Sequence, residues 1–407
     1  MDTENVVQKR QTNVLIICTE KIPSAWIGVY QPLFEMKKNN ILNVTFKVTR
    51  EVNKNDLLVC DVLICVRGSE ELEYKIAKVC KAAGKFICYY LDDDLLNIPQ
   101  DSGCAAYYND EMVRRNIIAI IETCDVFMSP NPKIIERYKE HTSRNVVVKG
   151  PATMLEISDE IIKKESNPIK IGFAGGIGHA VTLEKIAKNA ILKIDQEYDS
   201  KVKFEFVGAK PKFLANMKNY EYISYMEDPI QYREYMKNCH WDIALAPLPE
   251  EEFYKCKYFN KFLEYGAIKA SGIYSNTEPF TYIVEDMKTG ILCDNEDEYW
   301  YEALKKLIEG KKLRQEIADN ALLKLKEQFA LEAVGKEMTL KIPELIEYKA
   351  SPQEIQVRFL NKYYNRCLLW FNKTCRIFKI HPILGVFVIA FLIVRKIFRI
   401  VKRKIGG

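Results

Sequence analysis

Six runs rich in consecutive apolar residues, each short enough for a strand, recur through the first 150 positions. They are NVLIIC from Asn13, VTFKVT from Val44, DVLICVR from Asp61, KFICYYLD from Lys85, DVFMSP from Asp125 and NVVVKG from Asn145. Between them apolar residues recur at three- and four-residue spacing, which predicts helices, most clearly Glu70 to Ala83 and Glu111 to Thr123. Apolar runs of this kind, separated by helices, predict a parallel sheet covered on both faces. Asn167-Pro168 interrupts the pattern, which then restarts with IKIGFAG from Ile169, a helix from Thr182 to about Tyr198, and VKFEFVG from Val202. A helix near Gln231 to Lys237, DIALAPL from Asp242, a short strand around Ile273 and Tyr274, and a helix start near Pro279 follow. The expected class is α/β, with two doubly wound, Rossmann-like domains over residues 1–155 and 166–350. The carboxyl ends of both sheets should face a shared cleft.

Beyond residue 350 the pattern changes, and composition shows how. Glu354 is the last acidic residue, and the final 53 positions carry twelve of the sixty Lys and Arg. The formal net charge of +5 therefore averages a body with 48 basic and 55 acidic residues and a tail of +12. From Arg358 to Lys379 the basic residues fall on one arc of a helix, with Leu360, Tyr364, Phe371 and Phe378 opposite. An uncharged run from Ile383 to Val394 follows, closed by Arg395-Lys396. At about 18 Å of helix it is too short to cross a bilayer core of about 30 Å. Residues 351–407 thus read as a basic amphipathic and hydrophobic tail. Its expected partner is an anionic membrane surface, met through residues 355–407, and not nucleic acid, because an aliphatic run serves no phosphate contact. The amino terminus lacks the apolar core of a signal peptide, and the twelve cysteines form no CxxC pair. The expected location is the cytoplasmic face of the cell membrane, peripheral or anchored by the C-terminal tail.

Candidate chemistry gathers at strand ends. Lys257, Lys261 and Glu264 are spaced by four and three, so they share one face if the segment is helical. Two cations and a carboxylate suit a ligand with phosphates at one end and hydroxyls at the other, such as a nucleotide diphosphate. The loop Gly172-Phe173-Ala174-Gly175-Gly176-Ile177-Gly178-His179 joins a strand to a helix, where glycine amides can approach an anion. Asp92-Asp93-Asp94 closes KFICYYL. These carboxylates are read from the residues as a metal site or as a helix cap before Leu95-Leu96. Arg67 ends DVLICVR and could bind phosphate or form a salt bridge, and Gly28 would let a substrate approach the backbone.

KFLEYGA, then SNTEPFTYIVEDMKTGILC, a Trp300-containing helix and a helix ending in Phe329 together resemble the C-terminal half of the group-1 (family 4) glycosyltransferases. Those are retaining enzymes of the GT-B fold that use nucleotide-sugar donors. The resemblance implies that Glu264 grips the donor ribose and that the Gly175-Gly176 loop with His179 receives the diphosphate. The Arg and Lys that the wider family carries in that loop are absent, so Lys257 and Lys261 would supply the charge. The family's second glutamate, eight residues before the first, is Cys256 here. Asp92 or Asp93 takes the position of a histidine that faces the transferred sugar. The expected set is thus catalytic Asp92, Asp93 and Lys261, donor-binding Gly175, Gly176, His179, Lys257, Lys261 and Glu264, no metal, and no cofactor beyond the nucleotide sugar as co-substrate. Its acceptor would be a carbohydrate or polyprenyl-linked glycan in cell-surface polysaccharide or glycoconjugate synthesis. Two rivals are a non-catalytic scaffold of the same fold and a polyol-phosphate transferase. The second usually needs a histidine pair, and this chain holds only His141, His179, His240 and His381.

Overall fold

The central apolar runs form strands buried on both faces, while the edge strands Asn43–Val48 and Asn145–Val147 stay partly exposed. Val62–Val66, for example, is buried along its whole length. The computed structural model describes residues 10–100, 102–152, 155, 157, 167–176, 178–355, 357, 359 and 360. Six parallel strands make the first sheet: β1 Asn13–Cys18, β2 Asn43–Val48, β3 Val62–Val66, β4 Phe86–Tyr90, β5 Val126–Ser129 and β6 Asn145–Val147. Their order is β2-β1-β3-β4-β5-β6. The second sheet holds β7 Ile169–Ala174, β8 Val202–Val207, β9 Tyr220–Ile223, β10 Ile243–Ala246, β11 Ser271–Ser275 and β12 Ile291–Cys293. Its order is β12-β11-β10-β7-β8-β9, also parallel throughout. The expected α/β class is therefore present as two parallel six-stranded sheets.

Alternation along β1 shows how each sheet serves two cores. Leu15 and Ile17 enter the cluster beneath helices Glu71–Ala82 and Glu111–Thr123, while Val14, Ile16 and Cys18 enter the opposite one. The opposite cluster also receives Met338, Ile342 and Leu345, from or next to helices Leu331–Lys341 and Glu344–Glu347. After the long helix Lys311–Phe329 the chain thus crosses back and packs on the first sheet. Ile355, 1% exposed, continues along that domain in the other cluster, with Val357, Phe359 and Leu360 packed partly against it.

Several local expectations change. The helix from Thr182 to Tyr198 is two helices, His179–Ile186 and Lys188–Tyr198, parted at Ala187. Pro279 opens only a 3-10 turn, Phe280–Tyr282. The edge strands β9 and β12 had no forecast. The amphipathic and hydrophobic tail expected over 351–407 lies, from residue 361 on, outside the described residues. Among those described, no helix is long and apolar enough to cross a membrane.

One buried carboxylate ties the first domain's strand ends together. Glu73 accepts hydroxyl hydrogen bonds from Thr19 (2.6 Å) and Thr49 (2.8 Å), and amide bonds from Ser69 (2.8 Å) and Glu70 (3.0 Å). These partners lie just past β1, β2 and β3, so one side chain fixes three loops at the cleft. Replacement by alanine strands four donors, three of them buried, and Glu73→Ala should lose about 3–5 kcal/mol of unfolding free energy. Urea denaturation of both proteins checks this, and a loss below about 1 kcal/mol would contradict it.

Candidate active site at the cleft

In an open α/β sheet a ligand sits outside the carboxyl ends of the strands, where the strand order reverses. In the second sheet that point lies between β7 and β10, the two central neighbours. The glycine loop leaves β7 there, and the segment leading to Lys257, Lys261 and Glu264 leaves β10. The Gly175 amide bonds the Val207 carbonyl at 3.0 Å, which turns the loop across the end of β8. Gly208, at φ +79°, makes this possible, because a Cβ there would stand 2.3 Å from the Gly175 carbonyl oxygen. His179 begins the next helix, its amide bonded to the Gly176 carbonyl at 2.9 Å.

The lysine and glutamate residues do not share one helix face as the spacing predicts. The helix begins only at Asn260 and runs to Ala267, so it carries Lys261 and Glu264 but leaves Lys257 outside. Within the helix, Lys261 Nζ donates to Glu264 Oε2 at 3.0 Å, and the Tyr232 hydroxyl donates to the same oxygen at 3.3 Å. Burial, with the Glu264 charge beside it, holds the Tyr232 hydroxyl well above the usual phenol range. A cavity of about 240 Å³ opens beside this pair, walled by Gly175, Gly176, Gly208, Tyr225, Tyr232 and Lys261, with Glu264 at its edge. It offers open backbone, a cation, a carboxylate and the ring of Tyr225, which is 55% exposed.

The Asp92-Asp93-Asp94 run does not converge on one point. Asp94 is buried and faces Arg137, Tyr138 and Asn97, so it locks the β4 loop to helix Pro132–Tyr138. It does not cap a helix, because Leu95 and Leu96 form only a turn. Asp92 accepts from Arg67 Nε at 2.5 Å and borders a second cavity of about 120 Å³, shared with Glu264, Asn260, Ser24 and Ile27. Asp93 accepts from the other arm of Arg67 and from Lys257 Nζ, the latter at 2.8 Å across the cleft. Arg67 therefore pairs with carboxylates. Burial works against its charge, but Asp92 and Asp93 outweigh that and hold it above the usual arginine range. Burial likewise opposes the Asp93 charge, and Arg67 and Lys257 overcome it, so this carboxyl lies below the usual range. Gly28 serves packing: a Cβ there would meet the Tyr90 hydroxyl at 3.0 Å.

Cys256 explains its own departure from the family pattern. It is 0% exposed and belongs to the first domain's buried cluster with Phe127, Ile134 and Tyr138, so no sugar contact can come from it. Pro23, which borders both cavities, and Tyr225 and Tyr232, which border the larger one, complete the site, and sequence reasoning missed all three. Position after β9 could have pointed to the two tyrosines, but a four-residue edge strand gives almost no periodic signal.

His179 is pulled down to about 4 by burial and then by the charges of Lys261 and Lys257. Its folded pKa is depressed, so the unfolded chain binds the extra proton between the ordinary 6.5 and 4. Stability from this group is complete above pH 6.5 and is lost as pH falls toward 4, by at most about 3 kcal/mol. The drop in urea midpoint over that window should shrink in His179→Gln. Equal pH slopes in the two proteins would refute the effect.

The fold and the site together define a class: an α/β protein of two parallel sheets with a glycine-rich loop, a cation and a carboxylate at the carboxyl ends of its second sheet. No protein-family model and no curated protein matches the sequence. Solved structures match the fold. The Anabaena protein HepE, solved with UDP-glucose, aligns with a TM-score of 0.57 at 10% identity, over 83% of this chain and 100% of that one. The lipopolysaccharide outer core galactosyltransferase WaaB gives 0.55 at 11% identity, over 82% and 99%. A glycosyltransferase from Rickettsia africae gives 0.54 at 14% identity, over 82% and 98%. This chain shares the two-sheet α/β fold of these proteins, two of which are named as glycosyltransferases.

Proposed function

We propose that this protein is a glycosyltransferase that moves a sugar from a nucleotide-diphosphate donor to a carbohydrate or lipid-linked glycan. One observation carries the reading: Gly175, Gly176, Lys261 and Glu264 surround a single cavity at the switch point of the second sheet. Backbone amides and an ammonium suit a diphosphate, a carboxylate suits ribose hydroxyls, and an exposed tyrosine ring suits a base. HepE was solved with UDP and with UDP-glucose, which favours a uridine donor as the first to try.

In the reaction, the bond from the anomeric carbon to the β-phosphate oxygen breaks and a bond to an acceptor hydroxyl oxygen forms. The acceptor's proton is released, and negative charge collects on the departing diphosphate. Lys261, helped by Lys257 and the Gly176 amide, stabilises that charge without a metal ion. His179, neutral at pH 7, offers an N–H donor beside it. Asp92, at the border of the smaller cavity next to Glu264, contacts the transferred sugar, and Asp93, turned toward Lys257, does not. Retention of configuration rests on the sequence resemblance. A panel of nucleotide sugars tested for a rise in melting temperature examines the reading. A shift of several degrees with one donor supports it, and no shift with any nucleotide or nucleotide sugar counts against it.

The reading extends to a membrane-bound place in cell-surface polysaccharide or glycoconjugate synthesis, at the cytoplasmic face, with the basic tail on an anionic leaflet. Each tail Lys or Arg near such a surface contributes about 1 kcal/mol, and the aliphatic run adds burial that salt does not screen. A truncation test should end after Leu360, because Ile355 is part of a core. The full chain should stay on anionic liposomes in high salt, while the shortened chain should stay in solution and still bind donor. Sedimentation of the shortened chain with liposomes would overturn the anchor.

A further inference from the structure

Lys257 belongs by sequence to the second domain, but its surroundings belong to the first. Asn131 Nδ2, just past β5, donates to the main-chain carbonyls of Lys255 (2.9 Å) and Lys257 (2.7 Å). Arg137 donates to Glu252 at 3.0 Å, Cys256 lies in the first domain's core, and Phe253 packs against that core. From Tyr258 onward the chain packs in the second domain: Tyr258, Phe259, Phe262 and Leu263 all enter its cluster. Tyr254 already leans on the second domain's cluster, and Cys256 is the last residue of this segment in the first domain's core. Lys257 stands at the seam, four residues before Lys261, which the second domain's own helix carries.

The Lys257 ammonium is already engaged from two sides, by Asp93 at 2.8 Å and by the Phe253 ring at 4.4 Å from its centroid. Asp93 is engaged in turn by Arg67, which also holds Asp92, so an Arg–Asp–Lys chain spans the cleft. Lys257 lies four residues before Lys261 in the chain, and the charges of both lysines reach His179, which begins the helix after the glycine loop. A diphosphate drawn to Lys261 and that loop would meet Lys257 already paired.

We propose that Asp93 is a donor latch, a carboxylate that competes with the donor's diphosphate for Lys257 and yields it when donor binds. The latch rests on the donor site proposed above. Exchanging one anion for another on Lys257 frees Asp93 to remain with Arg67, so no buried charge is left without a partner. Donor binding then removes the direct ion pair joining Lys257 to the first domain and recruits that lysine to the helix that carries Lys261. The cost of breaking the pair is subtracted from the donor's intrinsic affinity.

Calorimetric titration of the full chain with inorganic pyrophosphate and with UDP, at low and high salt, tests this. Asp93→Asn keeps the side chain's shape but weakens its hold on Lys257, and should tighten both ligands by roughly three- to thirtyfold. Removing any negative charge near a diphosphate also helps binding, so the decisive comparison uses Lys257→Gln. In that background Asp93→Asn should bring little or no gain, because the competed group is gone. If Asp93→Asn binds no more tightly than the unchanged protein, or its gain persists in Lys257→Gln, the latch is wrong while the donor site stands. If the unchanged protein binds neither ligand, the donor site itself fails and the latch with it. Unaltered melting of Asp93→Asn is the control for folding, and Asp93→Ser repeats the test should the asparagine variant misfold.

Discussion

Lys261→Ala should lower turnover at saturating donor by about a hundredfold or more, with a much smaller change in donor KM. The ammonium stands beside the cavity and donates to Glu264 at 3.0 Å, so it is already oriented before any ligand arrives. A pre-oriented charge gains most where charge develops, and in this reaction that is the diphosphate as the sugar leaves. Binding of the ground-state donor, whose charge is more widely shared, loses less. Its removal leaves Glu264 with the Tyr232 hydroxyl, and Lys261 is not part of a buried cluster, so the fold should persist. Lys261→Arg, which restores charge at a different shape, should recover part of the rate. Steady-state kinetics of the three proteins make the check, and a Lys261→Ala enzyme with an unchanged kcat would remove this lysine from the chemistry.

The second large effect belongs to Glu264. Glu264→Gln keeps size and can still accept from Lys261 and Tyr232, but it loses the charge that strengthens a bond to ribose hydroxyls. The loss of about 1.5–3 kcal/mol corresponds to roughly a ten- to hundredfold weaker donor. The contact is to hydroxyls, so the deficit should vanish with deoxyribose nucleotides: the unchanged protein should discriminate against them and Glu264→Gln should not. Calorimetry with ribose and deoxyribose forms of one nucleotide reads both quantities. Equal affinity of the two proteins for the ribose form would dismiss the assignment.

Most of the fold could be read from residue order because central parallel strands announce themselves. All six strands of the first sheet and β7, β8, β10 and β11 of the second correspond to apolar runs. The edge strands Tyr220–Ile223 and Ile291–Cys293 are too short, and too exposed in the first case, for any pattern to form. The return of Leu331–Lys341 to the first sheet was equally hidden, since an amphipathic stripe says that a helix packs and not against what. In the site, Lys261, Glu264 and the glycine loop are local features that a short window contains. Lys257 is not: Tyr258 and Phe259 turn into the second core ahead of the helix and carry the lysine off its face. The fates of the three aspartates depended on Arg67 and Arg137, which lie 25 or more residues away in sequence. No spacing rule could assign Asp92 to a cavity, Asp93 to a lysine across the cleft and Asp94 to a buried clamp.

The central claim is that this cleft breaks the bond between a sugar and a nucleotide diphosphate. Release of free nucleotide from a panel of nucleotide sugars, measured with a chelator present and with water or a glycan as acceptor, tests it most directly. The account predicts release from at least one donor, undiminished by chelator and cut by about a hundredfold or more in Lys261→Ala. No release from any donor, while the protein still binds nucleotide, would show a sugar-binding scaffold in place of an enzyme.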